Sequence, residues 1–326
     1  MTIKQQYYGV IFCIAVYGWI LSATGIFLLK DYAFGIFMAL PTTMGILTVL
    51  LSKLIVPAQN FRTVCHIAWQ ALLVYAVGML LFAIEGIICI IMASPIVLMF
   101  LYLGVFITEA IINFYSKDYN SKMLAITLLL APLFMGFEHL YQAQHQHPIH
   151  AITTTIDIKA SPEAVWANVV DFSELPPPDE LLFQSGIAYP IKATINGSGV
   201  GAVRYCHFST GSFVEPITVW EENRLLQFDV AETPEPMKEL SLYDIHPQHL
   251  HGYFVSVKGQ FRLIPLADGS TRLEGTTWYY NKIQPTIYWN LWSDYIVHAI
   301  HRRVLNHIKG LAEKPKPVSA LPLPVN

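Results

Sequence analysis

Residues 7–29 run for 23 positions without a charged side chain. A helix needs about 20 such residues to cross a bilayer. The run is too long for a signal-peptide core, and no small-residue cleavage site precedes Lys30-Asp31. Further apolar stretches follow. Residues 34–51, extending toward Val56, contain Pro41, which a membrane helix tolerates when neighbours satisfy the freed backbone groups. Residues 65–115 are broken only by Glu85 and Glu109, and at 51 residues they are too long for one span and suit two. The expected turn is Ala93-Ser94-Pro95, with Ser94 capping a new helix and Pro95 in its first position. Residues 123–137 form the last stretch. The prediction is an all-α bundle of five spans in residues 1–142.

Charge is segregated accordingly. Only 13% of the 326 residues are charged, against about 25% in soluble domains. Residues 1–142 hold six Lys/Arg and five Asp/Glu, and the remainder holds 14 and 18. The net charge of −3 and the lack of a basic run exclude nucleic acid as the expected partner. Lys4, Lys53, Arg62, Lys117 and Lys122 flank one side of the spans and Lys30 the other, which predicts a cytoplasmic N-terminus and a C-terminal half outside the cell membrane. Glu85 is expected deep in the third span, where it must be neutral or paired, and Glu109 nearer a span end, reaching the interface. The four cysteines (Cys13, Cys65, Cys89, Cys206) form neither a disulfide framework nor a zinc-type pair. His139, His145, His147 and His150 fit no zinc spacing and suit a polar linker over residues 143–149. The residues predict no cofactor and no metal.

From His150 the apolar period changes to two: Ile152, Thr154, Ile156 and Ile158 alternate with Thr153, Thr155, Asp157 and Lys159, which predicts a strand. Ser161-Pro162 opens a helix, and the Pro-rich residues 175–178 end it and lead to a short helix near Glu180. Residues 187–280 read as strands with turns at Asn196-Gly197, Glu222-Asn223 and Asp268-Gly269. A long helix over residues 285–311 closes the domain, and residues 313–326 form a Pro-rich tail expected to be disordered. Helices segregated on an antiparallel sheet make an α+β domain over residues 150–312.

The opening Ile156-Asp157-Ile158-Lys159-Ala160-Ser161-Pro162-Glu163-Ala164-Val165-Trp166 and the closing Arg272-Leu273-Glu274-Gly275-Thr276-Thr277-Trp278, followed by the long helix, resemble the START-like helix-grip (SRPBCC) superfamily, which includes polyketide cyclases/dehydrases and lipid-transport domains. The resemblance implies a cavity between a curved sheet and the long helix. Strand alternation then predicts its lining: Tyr253, Val255, Val257 and Phe261 from one strand, with Ser256 and Lys258 facing water; Gly275, Thr277 and Tyr279 from the last strand; Phe213, Glu215, Ile217 and Val219 from a third. Glu215 on an apolar face must be protonated, paired or ligand-bound. Arg204 and His207 are its nearest candidate partners and fall on opposite faces, so only one points inward. Trp289 and Trp292 of the long helix are candidate wall residues. Asp294, His298 and Arg302 share a helix face, where salt bridging is expected.

Residues 231–251 are long for a connection and predict a lid over the cavity, with Met237, Leu242 and Tyr243 touching ligand or membrane. His246, His249 and His251 in it have no acidic or cysteine partner at fixed spacing. The expected function is membrane-anchored binding, transfer or sensing of a lipid or other hydrophobic small molecule. The alternative is a cyclase, dehydrase or hydrolase using Glu215 with His207 or Tyr279 as acid and base. No nucleophile elbow, dinucleotide fingerprint or phosphate loop supports that alternative.

Overall fold

The computed structural model describes residues 2–56, 60–115, 121–142 and 147–314. The tail beyond 314, Lys117 and the linker residues 143–146 with His145 lie outside them. Five helices are long and apolar enough to cross a membrane: Ile3–Leu29, Gly35–Ile55, Phe61–Leu81, Ile87–Phe114 and Lys122–Gln142. Their α-helical parts are α1 (Ile3–Ala23), α2 (Leu40–Ile55), α3 (Phe61–Leu81), α4 (Ile87–Tyr115) and α5 (Ser121–Gln142).

The turn between α3 and α4 falls at residues 82–86 and not at residues 93–95. Ala83 takes a left-handed backbone there, φ 54°. Pro95 lies inside α4. Its ring removes the N–H that would bond the Ile91 carbonyl. The Ser94 hydroxyl donates to that carbonyl instead, at 2.9 Å, so the helix continues. Glu85 therefore sits in a turn and not deep in a span. Glu109 is buried in α4 and accepts from Lys53 Nζ of α2 at 2.9 Å.

Packing between α2 and α4 depends on two glycines. A Cβ on Gly45 would lie 2.1 Å from the Leu101 carbonyl oxygen, and one on Gly104 2.1 Å from that of Thr42. Small residues let apolar helices approach this closely. Gly45→Ala must push backbone and not a side chain. It is expected to cost about 1–3 kcal/mol, read as a lower thermal midpoint in mild detergent.

The C-terminal half contains β1 (His150–Ile158), α6 (Pro162–Val170), α7 (Leu181–Gln184), β2 (Pro190–Asn196), β3 (Val203–Phe208), β4 (Gly211–Glu221), β5 (Leu225–Asp229), β6 (Phe254–Pro265), β7 (Thr271–Asn281) and α8 (Thr286–Ala312). The seven strands form one curled antiparallel sheet in the order β1-β7-β6-β5-β4-β3-β2. The second half of α8 packs Val304, Leu305 and Ile308 on the core of this sheet. The first half turns Trp289 and Trp292 toward the core of the apolar helices. One helix thus serves both halves.

The two halves meet at the 30–34 and 82–86 turns. Gln284 N–H donates to the Tyr32 carbonyl at 2.9 Å, and Ile87 N–H to that of Leu240 at 2.8 Å. The Tyr253 hydroxyl donates to the Lys30 carbonyl and that of Tyr288 to Met92. The Phe37 and Trp289 rings meet edge to face at 4.9 Å.

Candidate functional site

A cavity of about 120 Å³ lies between the sheet and α8. Phe213 and Glu215 of β4, Phe228 of β5, Phe261 of β6, Gly275 and Thr277 of β7, and Ile300, His301 and Leu305 of α8 are among its walls. Strand pleating aims these side chains inward, and α8 closes the concave face.

Tyr253 and Val255 were expected on this wall and do not line it. Pairing of β6 with β7 shifts register between Ser256 and Lys258. This bulge inverts inside and outside for the residues before it. Phe254 and Ser256 line the cavity in their place, so Ser256 does not face water. Tyr253 instead packs its ring against Tyr32. Burial pushes the Tyr253 hydroxyl up to about 12. Ile217 lies in the core beneath the sheet. Tyr279 is fully buried beside the cavity, its hydroxyl donating to Asp294 at 2.6 Å. Asp294 also faces His150 at 3.3 Å. The salt bridge expected among Asp294, His298 and Arg302 is not formed, and His298 instead meets the Thr154 hydroxyl at 2.7 Å. Trp289 and Trp292 line a different space, at the junction of the halves.

Of the two partners considered for Glu215, Arg204 points inward. The two residues face each other across β3 and β4 and form a buried ion pair. Arg204 also donates its Nε to the Val170 carbonyl at 3.1 Å. Its guanidinium carbon lies 5.5 Å from the ring centroids of Phe172, Phe228 and Phe261. Burial alone would pull the guanidinium's pKa down, but the Glu215 carboxylate beside it holds it above the ordinary value. Burial lifts Glu215 above the usual carboxylate range, with Arg204 drawing it back. One guanidinium nitrogen, Nη2, is buried with no hydrogen-bond partner. Arg204 and Glu215 both line the cavity, so the pair is a polar feature of an otherwise largely apolar wall.

His207 faces away and meets the Thr194 and Ser212 hydroxyls at 3.0 and 2.8 Å. With Glu215 held by Arg204 and Tyr279 by Asp294, the acid–base pairs considered from the sequence are not assembled. Cys206 lines the cavity, but burial pushes its thiol up to about 12, which keeps it a poor nucleophile.

Of the residues expected to form a lid, Met237 walls a neighbouring cavity at the junction of the halves, and Leu242 and Tyr243 line neither space. Met237 is buried and bridges to Ile187. Its neighbour Glu239 caps α4 by accepting from the Ile88 and Cys89 N–H groups at 3.1 and 3.2 Å. Leu242 and Tyr243 are 75% and 51% exposed and close nothing.

A second cavity adjoins the first, and a third adjoins the second. One of about 80 Å³ lies at the junction, walled by Tyr32, Phe37, Cys89, Phe254, Trp289 and Trp292 among others. One of about 230 Å³ lies among the apolar helices and shares Tyr32, Phe37 and Cys89 with it. Phe254 is common to the junction space and the sheet cavity. The three spaces form a row from the apolar helices into the C-terminal half, separated by a few shared side chains. No periodicity marks Tyr32, Phe37 or Cys89 as wall residues, so this row was invisible in the sequence.

The family model for polyketide cyclase / dehydrase and lipid transport matches residues 150–283. Among solved structures, truncated norcoclaurine synthase from Thalictrum flavum is 16% identical, covering 53% of this chain and 99% of its own, with a TM-score of 0.35. The Zhui aromatase/cyclase from Streptomyces sp. R1128 is 16% identical over 51% of this chain and 94% of its own, TM-score 0.35. The Aha1 dimer from Colwellia psychrerythraea is 18% identical over 50% of this chain and 97% of its own, TM-score 0.29. The comparison with curated proteins finds no match. With its family match over residues 150–283 and its curled antiparallel sheet gripping a long C-terminal helix, the C-terminal half of this chain resembles the START-like helix-grip superfamily.

Proposed function

We propose that the protein is a membrane-anchored binder of a hydrophobic small molecule, which reaches the helix-grip cavity from the bilayer through the apolar helices. The row of three cavities carries this reading. The helix-grip space alone, about 120 Å³, resembles in size an engineered cavity of about 150 Å³ that holds benzene. A ring or the end of a chain fits it, and the rest of a longer molecule extends past Phe254 toward the larger space among the helices. Apolar walls supply affinity, and the Arg204–Glu215 pair in the wall orients the polar end of the ligand. Tethering supports uptake, because a cavity held at the bilayer meets its lipids at high effective concentration. Exposed Ile287 and Leu291, on the half of α8 beside the apolar helices, suit a domain lying against lipid. The Lys/Arg bias along the spans supports a location of this domain on the outer face of the cell membrane.

The test is native mass spectrometry of the full chain in mild detergent, with organic extraction of what co-purifies. A lipid or isoprenoid held by the wild type and largely lost in Gly275→Leu is the expected result. An added Cβ at Gly275 has only ordinary contacts, 3.6 Å to Leu305, so a larger side chain there fills cavity space. No co-purifying apolar molecule and no binding in titrations, or equal retention by the variant, would overturn the proposal.

A further inference from the structure

A cluster outside the helix-grip cavity lies where the two halves meet. Glu85 comes from the turn before α4, Cys89 from the first turn of α4, and His249 from the single helical turn Gln248–Leu250 in the connection between β5 and β6. All three are buried, and one potential ligand atom from each lies within 4.8 Å of the others. Among the described residues this is the one such group of three.

Hydrogen-bond accounting leaves the centre of the cluster unsatisfied. Glu85 Oε1 accepts from the Tyr32 hydroxyl at 2.6 Å. Both Glu239 oxygens are engaged by the start of α4. Glu85 Oε2 and both ring nitrogens of His249 have no hydrogen-bond partner, although these residues are only 5% and 6% exposed. Buried polar atoms are rarely left in that state. His249 Nδ1 stands 3.4 Å from Glu85 Oε2, and Nε2 stands 3.8 Å from Glu239 Oε1. Hydrogen bonds of this kind close at about 2.7–3.2 Å. Two donor atoms held about 2.0–2.1 Å from one tetrahedral zinc ion are instead about 3.4 Å apart. The first spacing matches that of two ligands to one ion.

The geometry points to a binding site for a divalent metal of the zinc class, with Glu85 Oε2, Cys89 Sγ and His249 Nδ1 as ligands and Glu239 as the carboxylate that faces Nε2 from 3.8 Å. Carboxylate, thiolate and imidazole are the donors zinc takes, and a carboxylate behind the second ring nitrogen is the usual support of a ligating histidine. A divalent ion also neutralises the negative charge that the acids and the thiolate bring into a buried place. Three protein ligands leave a fourth position. Glu85 and Cys89 wall the cavity among the apolar helices, and Cys89 and His249 wall the junction cavity, so that position faces space a water or ligand can enter. Because Glu85 and Cys89 belong to one half and His249 to the other, the ion also clamps the two together.

The test uses the full chain in mild detergent. Metal analysis is expected to find about one zinc per chain after dialysis against zinc. Chelation is expected to lower the thermal midpoint of the wild type and zinc to restore it, a readout that needs no variant. Cobalt substitution should give a thiolate-to-metal charge-transfer band that Cys89→Ser abolishes and Cys13→Ser leaves unchanged. His249→Ala should weaken binding at least tenfold, whereas Glu239→Gln should weaken it about 10–100-fold with the band retained. Substoichiometric zinc with a midpoint indifferent to chelator, or a cobalt band that persists in Cys89→Ser, would overturn the assignment.

Discussion

Arg204→Met is expected to lower the stability of the helix-grip half by about 3–5 kcal/mol, because it leaves the buried Glu215 carboxylate without its counter-charge. At 1% exposure, Arg204 cannot be replaced there by solvent. The same change removes the bond to the Val170 carbonyl and the cation among three aromatic rings. For a domain of this size the loss corresponds to a thermal shift on the order of 10 °C, read in mild detergent. The double variant Arg204→Met/Glu215→Leu is expected to recover most of it, since an apolar pair of similar volume can replace a buried ion pair at little cost. If the double variant falls as far as the single one, packing and not the stranded carboxylate is the cause, and the argument fails.

That pair was half legible in the sequence. Alternation put Glu215 on an apolar face and named Arg204 and His207 as its possible partners, and only the β3–β4 register decides between them. The succession of elements along the chain, the opening helix and the long α8 were readable because period-two and period-3.6 patterns and turn residues are local signals. The lining of β6 was not, because a bulge at Val257 changes parity without changing composition. The α3–α4 turn was misread for a related reason. Ala93-Ser94-Pro95 carries a stronger turn signature than Ala83-Ile84-Glu85, yet the Ser94 hydroxyl supplies the hydrogen bond that Pro95 removes.

The junction was beyond sequence reasoning altogether. His249 has no acidic partner at fixed spacing because its partners, Glu85 and Glu239, arrive from the α3–α4 turn and from the far end of its own connection. The long connection read as a cavity lid docks on the apolar helices through backbone bonds and a helix cap, and its Met237 and His249 wall the junction cavity and not the sheet cavity. Trp289 and Trp292 fell on the apolar stripe of α8 as expected. A stripe does not say which core it meets, and here the first half of α8 meets the apolar helices and the second half the sheet.

The remaining large effect is expected from pH. His301 is half-buried against the cavity, its Nε2 2.8 Å from the Thr277 hydroxyl and its Nδ1 3.0 Å from that of Thr154. Burial, and next the neighbouring His298, lower its pKa from 6.5 to about 4. In the unfolded chain the imidazole regains its ordinary value, so between these limits the unfolded state binds the extra proton. Stability from this group is complete above about pH 6.5, falls as pH drops through the window, and levels off below about pH 4. At about 1.36 kcal/mol per unit, the full effect is about 3 kcal/mol, of which about 2 is lost between pH 6.5 and 5. Other acids and histidines titrate in the same range, so the informative quantity is a difference. His301→Gln retains a donor and an acceptor but no proton to gain, and it is expected to be less stable than the wild type at pH 7.5. Thermal midpoints of the two proteins should converge as pH falls toward 5. Parallel curves across that range would mean that His301 is not held neutral by its burial.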